Sequence, residues 1–292
     1  MKFNFLNFRY FVEYLLFRLI IIIINLLPLK YVSIFGSKIF SFFGKFSKTH
    51  STAMNNCKMV FPNLSNNEVQ KIIINSWENL GKTVFELTIL KKFFTTKNLI
   101  EVEGLEVIEN IVEKKLPAIY FSIHHSNWEI CPPFLDKMGI NIGVIYRHIN
   151  NNYIDNFIYK QRSKSFKNTN SFYTPKGKKS AKDILETVKK NNSVFLLIDQ
   201  KDSAGDDVLF FNQKIKTQTG FLKIARKYNL PLIPIENKRL KEGNFKLKFH
   251  QPIYHNQLNI TDIDMMQKIH GIIEKWIISN PNQWLWQHNR FN

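Results

Sequence analysis

Short apolar runs at residues 99–102, 118–123, 142–146, 194–198, 232–236 and 245–249 alternate along the chain with segments of helical periodicity. Runs this brief and this rich in β-branched residues read as buried strands. Between them, 181–190 places Ile184, Leu185 and Val188 on one helical face, and 220–228 is a second helix stopped by Asn229-Leu230-Pro231. Upstream, 68–90 carries Val69, Ile72, Ile73, Trp77, Leu80, Val84 and Leu87 at helical spacing, with Ser65 and Asn66 as entry signals. Strand–helix alternation on this scale predicts an α/β fold, a mixed and largely parallel sheet covered by helices. Polar stretches such as 201–207 follow strand ends, where α/β proteins commonly place their sites.

The N-terminus departs from this pattern. Residues 11–29 read FVEYLLFRLIIIIINLLPL, close to the ~20 apolar residues of a spanning helix. Glu13, Arg18 and Asn25 interrupt the run, and a central arginine costs about 2.5–3.5 kcal/mol on insertion scales. Asn7, Tyr14, Arg18 and Asn25 fall on one stripe, which describes a helix lying in a membrane interface with its polar edge outward. The next apolar stretch, 34–46 (IFGSKIFSFFGKF), mixes aromatics with lysines in the same interfacial manner. A helix pair capping a globular domain is the other way to use such segments. Basic residues flank the run on both sides, so charge gives no orientation. The expected division is a membrane-associating helical segment, 1–50, and a catalytic domain, 51–292.

Composition narrows the partners. Forty-one Lys+Arg against 23 Asp+Glu give a net charge of +18, suited to anionic lipid, an acidic carrier protein or nucleic acid. The abundance of Lys, Asn, Ile and Phe also fits A/T-rich codons, which alone raise the lysine count. No helix-turn-helix, RNP-like or zinc pattern supports nucleic acid. Two cysteines, Cys57 and Cys131, make no disulfide framework and have no metal-ligand spacing, and no metal or redox cofactor is indicated.

The chemistry concentrates in 118–133, AIYFSIHHSNWEICPP. An apolar strand runs into His124 and His125, and a helix begins near Ser126. A histidine at a strand end faces a cleft and titrates near neutrality, as a general base must. Glu129, in the first helical turn, is placed to reach the His124 imidazole and fix its tautomer, with a substrate hydroxyl as nucleophile. Ser126-x-x-Glu129 is equally the pattern of a capping box, in which Glu129 only bonds a backbone amide. Strand alternation turns His125 the other way.

HHSNWE resembles the H-x4-[DE] box of the bacterial lipid A biosynthesis acyltransferases, the lauroyl and myristoyl transferases. Further stretches resemble the same family in order: SWENLGKTVFEL ending near Glu86, IGVIYRHINNNYIDNFIYKQR with Arg147, Asn151 and Arg162, LLIDQK with Asp199 and Gln200, FFNQKIKTQTG, and the closing PNQWLWQHNRF. Ser126 and Asn212 stand where the family usually has glycine. The resemblance implies a glycerolipid-acyltransferase-like fold at the cytoplasmic face of the inner membrane. It also implies transfer of an acyl chain from acyl carrier protein to a 3-hydroxyacyl hydroxyl of a lipid A precursor. His124 and Glu129 would then be catalytic. Asn127, Trp128, Arg147, Asn151, Arg162, Asp199 and Gln200 would bind substrate, the two arginines holding phosphates or carboxylates. Trp128, Asp199 and the arginines also have ordinary structural uses, in a core, a loop cap or an ion pair. Two rival readings stay open: an acyltransferase for another phospholipid or glycolipid acceptor, and a non-catalytic binder of anionic lipid.

Overall fold

The computed structural model describes residues 5–96 and 98–291, so the first four residues of the expected attachment segment lie outside it. Helices α1 (Phe5–Asn25), α2 (Leu29–Gly44), α3 (Lys48–Val60) and α4 (Asn66–Leu87) come first, then one short turn, α5 (Lys92–Thr95). Ser65 caps α4 through a complete capping box with Glu68, as the entry signal predicts. Helix α2 packs along α4 where Gly36 meets Gly81. A Cβ on either would overlap the other's carbonyl, so only glycine permits this approach.

The remainder runs β1 (Ile100–Glu103), α6 (Leu105–Glu113), β2 (Ile119–Ser122), α7 (Cys131–Lys137), β3 (Ile142–Tyr146), α8 (Asn152–Ser163), β4 (Phe172–Pro175) and α9 (Lys178–Lys189). Then follow β5 (Ser193–Leu197), the hairpin β6 (Lys201–Phe210) and β7 (Gln213–Thr217), α10 (Gly220–Tyr228), β8 (Pro231–Arg239), β9 (Phe245–Phe249), β10 (Ile253–Tyr254) and α11 (Asp262–Ser279). The eight-stranded sheet has the order β1-β9-β8-β2-β5-β3-β4, with β10 added to β8. Among the described residues of this sheet only the β8–β9 and β8–β10 pairs are antiparallel, so the fold is the expected mixed, largely parallel α/β. Side chains alternate across it into two core layers. Ile119, Phe121 and Ile123 of the central strand join Ile73, Phe210, Ile215 and Trp284 on one face. Ala118 and Tyr120 join Ile21, Val32, Ile158 and Ile233 on the other.

Helix α1 reverses one expectation. Its Tyr14 and Arg18 do not face outward. They turn onto α8, where Tyr14 stacks on Tyr153 and Arg18 lies over Phe157 while donating to the Tyr14 hydroxyl. A guanidinium can cover an aromatic ring and share a phenol there, which makes a protein face the cheaper place for Arg18. The apolar residues Phe11, Leu15, Leu16, Leu19, Ile22 and Ile23 are left exposed instead. Among the described residues no helix is long and apolar enough to cross a membrane.

Candidate active site

Parallel neighbours β2 and β5 pair Ser122 with Leu197. Two residues beyond each, His124 and Asp199 therefore emerge side by side from the carboxyl edge of the sheet, the edge on which open α/β sheets hold ligands. The turn after β2 is fastened by the C-terminal segment, which lies antiparallel to it. Ser126 N–H donates to Gln283 O (2.9 Å), Leu285 N–H donates to His124 O (3.0 Å), and His125 bridges Trp284. Ser126 sits at φ 57°, which explains why glycine serves well at this place.

Asp199 is fully buried and collects donors. His124 Nδ1 lies 2.7 Å from its Oδ1, while Oδ2 accepts from the His124 backbone N–H (3.1 Å), the Trp284 indole (2.8 Å) and Arg290 Nη2 (3.2 Å). Burial works against ionisation here, but the charges of His124 and Arg290 with these hydrogen bonds outweigh it and hold the Asp199 pKa well below the ordinary carboxylate value. An ionised carboxylate only accepts, so the imidazole proton is fixed on Nδ1 and the Nε2 lone pair is presented outward. The Gln200 amide nitrogen stands 3.3 Å from that Nε2, and the Trp128 ring meets the imidazole edge-on at 5.1 Å. This is the orientation of a general base.

The acid on His124 is thus Asp199, and not Glu129 as the spacing suggests. Glu129 is paired elsewhere, accepting two bonds from Arg162 (2.8 and 2.6 Å) and one from the Trp128 indole (3.1 Å). Arg162 is nearly buried between the Tyr146 and Tyr173 rings. Burial alone would lower its pKa, but the Glu129 carboxylate raises it, so the guanidinium stays charged. The capping-box alternative fails as well. Asn127, not Ser126, receives the Glu129 N–H, and the Ser126 hydroxyl has no hydrogen-bond partner.

The other expected residues divide between site and scaffold. Asn127 is buried and donates to Glu86, so it does not line a cleft. Asn151 caps α8 and donates to Tyr10 O and Glu13 of α1, which makes it a clamp for that helix. Arg147, just past β3, is exposed at the same sheet edge. His288, near it, is driven down to about 4, mainly by burial and further by Arg290, His124 and Arg147.

Three residues escaped the sequence reading of the site. Arg239, at the end of β8, is buried on Glu86 in a two-pronged pair (2.6 and 2.9 Å). Trp284 and Arg290 hold Asp199 from the C-terminal segment. The W-x-W-x-H-x-R pattern was the available signal for these two, but nothing in its spacing says what it touches. His125 is buried between two backbone carbonyls and Cys131 in the core, neither in the site. No cluster of potential metal ligands occurs among the described residues.

The family model described as bacterial lipid A biosynthesis acyltransferase matches residues 1–292. Lipid A biosynthesis lauroyltransferase of Escherichia coli (strain K12) is 25% identical over 243 residues, 81% of this chain and 76% of that protein. Among solved structures, the 1-acyl-sn-glycerophosphate (LPA) acyltransferase from Thermotoga maritima covers 85% of this chain and 93% of its own, at 16% identity and a TM-score of 0.38.

Proposed function

Because the chain belongs to the bacterial lipid A biosynthesis acyltransferase family, we propose that it moves a fatty acyl chain from an acyl carrier protein thioester to a 3-hydroxyacyl hydroxyl of a lipid A precursor. The observation that carries the chemistry is Asp199 on His124 Nδ1. His124 Nε2 removes the hydroxyl proton as the oxygen attacks the thioester carbonyl carbon. The C–S bond then breaks, and the same proton passes from Nε2 to the departing thiolate. Asp199 stabilises the imidazolium in between. Glu129 acts at one remove, as a positioning residue that fixes Arg162 and the indole beside His124. Arg162 has spent its fork on Glu129, which leaves exposed Arg147 as the cation for a phosphate or carboxylate of the acceptor.

The work takes place at a membrane, in this reading the cytoplasmic face of the inner membrane. Support comes from the outward apolar face of α1 together with exposed Phe35, Phe42, Phe43 and Phe46, an unusual amount of bare hydrocarbon for a surface otherwise rich in lysine. The test is mass spectrometry of lipids after incubating the purified protein with a lipid A precursor and acyl carrier thioesters. The expected product is the precursor carrying one added acyl ester, absent with His124→Ala. Acylation of an added glycerophospholipid in place of the precursor would move the acceptor to another lipid class. No acylated lipid of any kind would overturn the proposal.

A further inference from the structure

At Arg290, which pairs with Asp199, a cavity of about 280 Å³ opens between the β6–β7 hairpin and the C-terminal segment. Its walls carry Lys201, Lys214, Lys216 and Arg290, with Asp207 as the single carboxylate and Ile215 and Phe291 as apolar lining. Asp207 pairs with Lys214 (3.3 Å) and Lys216 (3.0 Å). Arg290 is the telling member. It is fully buried, donates Nε to Asp199 O and Nη2 to Asp199 Oδ2, and lies over Trp284, yet its Nη1 has no hydrogen-bond partner. Its one charge partner, Asp199, already serves His124. Burial lowers the Arg290 pKa to about 10 even with that carboxylate beside it. A buried guanidinium with an idle N–H, at the inner wall of a basic cavity, is built to receive an oxyanion.

We propose that this cavity binds the phosphodiester through which a pantetheine arm joins its acyl carrier. The proposal rests on the donor assigned above and deepens it. The side of the sheet selects this source over the phosphates of the acceptor. Hairpin residues Val208, Phe210 and Ile215 belong to the core layer on one face of the sheet, while Ile21 and Ile24 of α1 belong to the layer on the other. The bare apolar surface of α1 thus lies on the opposite face from the cavity, which suits a water-soluble donor arriving from the side away from the lipid. Occupancy also matters to the chemistry. When His124 becomes an imidazolium, Asp199 must serve two cations at once, and an anion beside Arg290 relieves that imbalance as the donor binds.

The test uses the full chain with acyl carrier thioester, lipid A precursor and two probes, 4′-phosphopantetheine and pantetheine. Expected is competitive inhibition against the donor by 4′-phosphopantetheine, roughly tenfold weaker with pantetheine, since a charge-assisted contact is lost. Lys214→Gln/Lys216→Gln should raise the donor KM roughly fivefold, leave acceptor KM and kcat unchanged, and narrow the preference between probes. Equal inhibition by the two probes overturns the proposal. So does a rise in acceptor KM alone, which gives the cavity to the acceptor. A donor effect with the probe preference intact also overturns it, because the lysines then touch the carrier's own surface. Calorimetric binding of the two probes reads the cavity without turnover, so a protein that transfers no acyl chain still decides the phosphate site.

Discussion

His124 and Asp199 are 75 residues apart in sequence, yet one carboxylate takes both the backbone N–H and the imidazole Nδ1 of that histidine. The backbone bond fixes where the histidine sits and the side-chain bond fixes which nitrogen is free. Position and tautomer are set by a single residue.

Asp199→Asn should therefore damage turnover, and stability with it, because fully buried Arg290 loses its carboxylate partner. The asparagine amide can donate toward Nδ1, moving the imidazole proton to Nε2 and removing the base. A loss of about 10²–10⁴ in kcat/KM is expected, comparable to His124→Ala. Steady-state kinetics on protein of verified helical content checks this, and near-normal turnover in either variant would remove His124 from the role of base.

Glu129→Gln tests positioning against direct catalysis. Glutamine keeps one acceptor and loses the charge, leaving Arg162 buried without its anion, a change expected to cost about 3–5 kcal/mol. The melting temperature should fall together with activity. Arg162→Lys should destabilise as well, because an ammonium cannot reproduce the two-pronged contact. A Glu129→Gln protein as stable as the parent but inactive would instead put the carboxylate in the chemistry.

Leu16→Glu and Leu19→Glu should release the protein from vesicles of anionic phospholipid while leaving its melting curve within about 0.5 kcal/mol of the parent, since both side chains are more than half exposed. Flotation with the vesicles measures it. If the double variant floats as the parent does, membrane contact lies on another surface.

Stability should decline as pH falls from about 6.5 to 4. His270 is buried, and burial lowers its pKa from 6.5 to about 4. In that window the unfolded chain binds a proton that the folded one refuses, so the stability fully present above 6.5 is lost on the way down, by roughly 3 kcal/mol for this residue. Half-buried His288 acts in the same sense. Urea midpoints at pH 7 and pH 4.5 report the difference, and His270→Gln should flatten it. An unchanged slope in that variant would contradict the assignment.

Strand identity was legible wherever apolar residues ran unbroken, as in β2, β3, β5, β8 and β9, each within a few residues of its run. Strand β4 was missed because Phe-Tyr-Thr-Pro is short and ends in a proline, which marks an edge strand. The β6–β7 hairpin reads as a polar loop because the outer half of β6 is exposed and shows no alternation. In the site, His124 was legible from local pattern alone. Its true partner was not, since periodicity says nothing about which strand lies beside β2. Asp199 entered on family resemblance and acquires its role from the β2–β5 register. Glu129 illustrates the converse, a residue close in sequence whose carboxylate is claimed by Arg162 from a distant helix.

Helix α8 is held at both ends by residues outside it. At its start Asn151 grips Tyr10 and Glu13 of α1, and in its last turn Arg162 is gripped by Glu129. Its 12 residues form a rod of about 18 Å between those grips. One unbroken run of contacts therefore joins the N-terminal helix to Arg162, and through Glu129 to the indole that borders His124.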